Sequence, residues 1–88
     1  MSAVELLKEK LASLDPVSID IRDDSHRHAG HAGAREGGHY AVVIVAERFA
    51  GLSTMQRHRL VYDAVGDLKP LRIHALSISA RAPGESRN

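Results

Sequence analysis

HYAVVIVA, residues 39–46, is short, rich in β-branched side chains and continuously apolar. A run of that length and composition reads as the central strand of a sheet. Two further segments suit places beside it. Upstream, Val17, Ile19 and Ile21 alternate with Ser18, Asp20 and Arg22, the period of a half-buried strand. Downstream, RIHALSISA (residues 72–80) puts His74, Leu76, Ile78 and Ala80 on one face.

Helical patterns flank and separate these strands. Ser2-Ala3-Val4-Glu5 has the form of a capping box, and Val4, Leu7, Leu11 and Leu14 then recur at helical spacing up to Pro16. Ser53 and Gln56 repeat the capping-box spacing ahead of a second helix. Its apolar face is Leu60, Val61, Ala64, Val65 and Leu68, with Gly66 and Pro70 bounding its end. After Arg81, APGESRN reads as a frayed tail, so the expected layout is one domain over residues 1–82 and a flexible tail over 83–88.

The order is αββαβ. It predicts an α+β domain with a small three-stranded mixed sheet and helices on one face. The first two strands should pair antiparallel. The helical connection before the third favours parallel pairing with the second, so those two strands begin at the same end of the sheet. His74 is thereby expected beside the loop that feeds the second strand, although more than forty residues separate them in sequence.

That loop is unusual. Residues 23–39, DDSHRHAGHAGAREGGH, hold four of the chain's six histidines and four glycines, with no apolar side chain larger than alanine. Such a segment adds nothing to a core, and a hairpin loop of this length is either disordered or functional. Imidazole is the commonest metal ligand and titrates near neutral pH. It is also a frequent solvated bystander.

The composition narrows the functional classes. The 88 residues are 43% hydrophobic and 26% charged, with a formal net charge of +1, which suits one thin globular domain. Residues 1–40 carry five Lys/Arg against seven Asp/Glu, and residues 41–88 carry seven against four. A whole-domain basic field for nucleic acid is missing, although a local patch in the second half is not. No cysteine is present, so there is no disulfide and no thiolate site. No run is long and apolar enough to span a membrane and no leader follows Met1, which sets the expectation of a soluble, cytoplasmic protein.

AVVIVAERFAGLSTMQRHRLVYDAV (residues 41–65) followed by IHALSI (73–78) resembles the BolA family. The resemblance rests on a valine-rich strand, the Phe49-Ala50-Gly51 turn, the Arg57-His58-Arg59 triplet and a late strand opening Ile73-His74-Ala75-Leu76. It covers roughly residues 4–82 and implies a fold related to the type II KH domain. It also implies pairing with a monothiol glutaredoxin around a shared [2Fe-2S] cluster. The glutaredoxin and glutathione would supply thiolates, and this chain would supply the histidine of the HAL motif and a histidine of the loop. Carried onto this sequence, those ligands are His74 and His28, with His31 as the alternative and His26 and His39 also present in the segment. Histidine in the loop, with no cysteine in the chain, makes this the histidine subtype. Other family members have been regarded as DNA-binding regulators of morphology and stress genes.

Each assignment has a plainer competitor. His28 reads equally as a solvated loop residue, and His74 as a strand-start histidine on the rim. His28 and His31 share the spacing of a helical zinc pair, but in a glycine-broken loop without thiolates. Arg57, His58 and Arg59 open the second helix, where basic charge opposes the helix dipole. They form either a patch for an acidic partner or phosphate backbone, or internal pairs such as Arg59 with Asp63. Gly30-His31-Ala32-Gly33 spells the GxxG of KH domains, but in a hairpin loop rather than between helices. No catalytic constellation is visible, and the expectation is a non-enzyme. Two histidines cannot fill four cluster positions, so the chain alone, a monomer or weak dimer, should hold no cluster tightly.

Overall fold

A computed structural model describes residues 2–24 and 38–85. Five principal elements follow in the expected order: α1 (Ala3–Leu11), β1 (Ser18–Asp23), β2 (Gly38–Val45), α2 (Thr54–Val65) and β3 (Ile73–Arg81). Among the described residues they form one sheet of order β1-β2-β3, with β1 antiparallel and β3 parallel to the central β2.

Both helices start where local chemistry tells them to. The Ser2 hydroxyl accepts from the Glu5 amide at 3.2 Å, and the Glu5 carboxylate accepts from the Ser2 amide at 3.1 Å. The Ser2 amide, with the Ser2 hydroxyl donating to the same carboxylate oxygen at 3.1 Å, holds the Glu5 carboxyl below its usual value. Ser53 and Gln56 repeat the exchange at 3.1 and 2.9 Å. Each box satisfies amides that a helix start would otherwise leave without partners. Gly66, at φ 78°, ends α2. Leu68 therefore lies beyond the helix and reaches the core from the following turn.

The helices cover one face of the sheet. Val42 and Ile44 of β2 point into the core with Leu7 and Leu11 of α1 and Val61 and Val65 of α2. Phe49, in a short 3-10 turn over Glu47–Phe49, is the largest fully buried side chain. Burying an aromatic ring of that size stabilises the fold by about 2–3 kcal/mol. The alternation expected for β1 fails at its first member. Ile19 and Ile21 pack against the core, but Val17 is 66% exposed. The regular pairing begins at Ser18↔Val45. The Val17 amide bonds to the same Val45 carbonyl, one residue out of register, so its side chain falls out of phase with Ile19.

The part of the expected tail that the structure describes makes bonds back to the domain. Ala82 is buried, and Glu85 is tied back to both Ala82 and Arg57. Residues 86–88 lie outside the described residues.

Candidate functional site

Parallel pairing delivers the starts of β2 and β3 to one end of the sheet, as the connection lengths required. Two backbone bonds fix that end. The Asp24 amide donates to the His39 carbonyl at 2.8 Å, and the Gly38 amide donates to the Arg72 carbonyl at 2.9 Å.

The register slips at this point. Gly38 lies opposite Ile73, yet His39 lies opposite Ala75, leaving His74 as the extra residue of a bulge on β3. A bulge re-aims a side chain that regular alternation would send elsewhere. Simple alternation puts His74 on the core side with Leu76, Ile78 and Ala80. The bulge lets Ile73 take the buried place instead, and His74 turns out to solvent. Its ring then stands against that of His39, with centroids 5.1 Å apart and planes inclined by 41°.

That separation has chemical meaning. Two imidazoles on one tetrahedral ion, with metal–nitrogen bonds of about 2.0–2.1 Å, hold their ring centres about 5 Å apart. The centroid separation of the described pair is of that size. Sequence reasoning left His39 largely as a bystander. The signal that could have raised it was the parallel register, which places the residue opening β2 beside the one opening β3. The loop candidates His26, His28 and His31, and the Gly30–Gly33 motif, lie outside the described residues. Among the described residues no three His, Cys, Asp or Glu side chains converge to hold a metal ion. Two imidazoles would fill two of the four ligand positions of a two-iron centre.

The basic triplet divides. Arg57 turns inward: Nε donates to the Leu52 carbonyl at 3.0 Å and Nη1 to the Ala80 carbonyl at 3.1 Å. Nη1 and Nη2 also meet the two oxygens of Glu85 at 2.6 and 2.7 Å. These bonds raise the guanidinium pKa above its usual value and hold the Glu85 carboxyl down at about 2, with the Ala82 amide assisting. Arg57 is thus withdrawn from the expected partner patch, because its charge is already neutralised inside the fold. Arg59 stays exposed and forms no ion pair with Asp63, and His58 is half-buried.

An αββαβ sheet with imidazoles gathered at the start of its parallel strand pair defines a small α+β module. The chain belongs to the BolA family: the family profile described as BolA-like protein matches residues 11–85. It is similar to the chloroplastic protein BOLA1 of Arabidopsis thaliana, 41% identical over 85 residues, covering 91% of this chain and 53% of that protein. It is 42% identical to the same plant's SufE-like protein 1, covering 90% of this chain but 23% of that protein. The DNA-binding transcriptional regulator BolA of Escherichia coli is 36% identical, with 84% of this chain and 70% of that protein covered. The chain spans about half the length or less of the first two relatives. Among solved structures, BolA1 from Arabidopsis thaliana superposes with a TM-score of 0.80 at 37% identity, covering 98% of both chains. The BolA domain of SufE1 gives 0.75 at 44% identity, covering 91% of each. Among the described residues no helix is long and apolar enough to cross a membrane.

Proposed function

We propose that this chain shares a [2Fe-2S] cluster with a monothiol glutaredoxin and glutathione, and serves iron–sulfur trafficking or iron and redox regulation. The observation that carries the reading is the His39–His74 pair, with centroids 5.1 Å apart at the exposed end of the sheet. The donor chemistry fits the group, because imidazole suits iron and can replace thiolate on one iron of such a centre. His74 is one ligand. His28 is the second on the family pattern and His31 its alternative, while His39 has geometry in its favour. The remaining two positions fall to thiolates from the partner side, since this chain contains no cysteine.

The test is a titration of the chain into cluster-loaded monothiol glutaredoxin, followed by visible circular dichroism. A new spectrum at one-to-one stoichiometry, lost in His74→Ala, supports the reading. Whichever of His28→Ala, His31→Ala and His39→Ala perturbs it identifies the second ligand. An unchanged wild-type spectrum overturns the reading.

A second reading, DNA binding, is favoured by the name of the Escherichia coli relative. With Arg57 neutralised by Glu85, the exposed charge at the start of α2 reduces to Arg59, with His58 beside it. One or two phosphate contacts give a shallow slope of log affinity against log salt, about −1 to −2. A much steeper slope would require a basic surface elsewhere on the chain.

A further inference from the structure

Arg72 holds a left-handed backbone at φ 59°. Glycine or asparagine occupies such a position with less strain than a long side chain. Here it carries an exposed arginine whose side chain makes no hydrogen bond or ion pair with any described residue. Its backbone is fully engaged: the amide donates to the Lys69 carbonyl at 3.0 Å, and the carbonyl accepts from Gly38 at 2.9 Å. Those bonds set Arg72 where both histidine-bearing strands begin, one residue before Ile73, which lies opposite Gly38. The turn is accounted for by its hydrogen bonds; the cation on it has no use within the described fold.

We propose that Arg72 is a specificity-determining residue that pairs with a carboxylate carried by the group co-ligating beside His74. The proposal rests on the cluster reading above. In that assembly two thiolates cancel the charge of an oxidised cluster core, so the core itself offers a cation little. Glutathione keeps a net negative charge through its two carboxylates, and the partner protein can present carboxylates at the same rim. A planar guanidinium matches a carboxylate fork better than any other cationic side chain.

The experiment measures affinity for cluster-loaded monothiol glutaredoxin assembled either with glutathione or with glutathione monoethyl ester, in which the glycyl carboxylate is blocked. Wild type, Arg72→Gly and Arg72→Lys are compared, with visible circular dichroism and Tm recorded for each. Arg72→Gly relaxes the backbone, so it folds and isolates the charge. Its affinity falls about five- to tenfold with glutathione, while the saturated spectrum stays that of wild type. Arg72→Lys keeps part of the affinity. A loss that disappears with the ester assigns the carboxylate to the glycyl end of glutathione, and one that persists assigns it to the γ-glutamyl end or to the partner protein. Wild-type affinity in Arg72→Gly with both thiols overturns this inference alone. A Tm that falls in step with affinity also overturns it, by giving Arg72 a structural role. An unchanged wild-type spectrum overturns the cluster reading and this occupant together.

Discussion

Arg57 and Glu85 lie 28 residues apart and meet through a two-point ion pair, with bonds of 2.6 and 2.7 Å. The pair folds the C-terminal turn onto the first turn of α2, and the same guanidinium caps the carbonyls of Leu52 and Ala80. A cation in the first turn of a helix works against the helix dipole. Glu85 offsets it there, so the return for placing Arg57 at that position is internal.

Replacing Glu85 by Gln should lower Tm by a few degrees at neutral pH. The pH dependence follows from the depressed carboxyl, which lies at about 2 in the fold against a usual 4.5. The contribution is fully present above 4.5 and is lost as pH falls through about 2, because both states are then protonated. The Tm gap between wild type and Glu85→Gln should therefore close across that window. A gap of constant size down to pH 2 would contradict the assignment.

Ser53→Ala removes the acceptor for the Gln56 amide. The expected cost is about 1 kcal/mol, readable in urea unfolding as a lower midpoint with an unchanged slope. Ser53→Asp should recover most of it.

Phe49→Ala empties the centre of the core, where the ring is fully buried. Such truncations cost about 3–5 kcal/mol, against a total of roughly 5–10 kcal/mol for a domain of this size. Calorimetry should show a transition shifted far down in temperature or none at all.

Arg72→Gly should leave stability unchanged or raise it by up to about 1 kcal/mol. It relieves a left-handed backbone while adding freedom to the unfolded chain. A clear loss of stability in chemical denaturation would show that the side chain supports the turn.

Local chemistry made much of this fold legible. Both capping boxes and the β-branched run of β2 depend on neighbours within a few residues, and sequence reading places them correctly, whereas α2 stops at Gly66, short of the Leu68 that the periodicity included. The parallel β2–β3 pair also follows, because the length of the connection limits the topologies. What escaped depends on register and on distant partners. The bulge that turns His74 outward adds one residue to the parallel ladder, which period-two alternation cannot register. The role of Arg57 needed Glu85, in a stretch that reads as tail. Val17 fits the strand period but falls one hydrogen bond out of phase. His39 needed the three-dimensional nearness of His74 to stand out among four candidates in its segment.

The most direct test of the central claim labels only this chain with ¹⁵N-histidine and pairs it with unlabelled cluster-loaded glutaredoxin and glutathione. Pulsed electron paramagnetic resonance of the reduced cluster then reads which nitrogens touch iron. The account predicts two strongly coupled ¹⁵N nuclei, one of them lost in His74→Ala. A complex that forms without any strong ¹⁵N coupling would contradict it, because the cluster would then be held by ligands this chain does not supply.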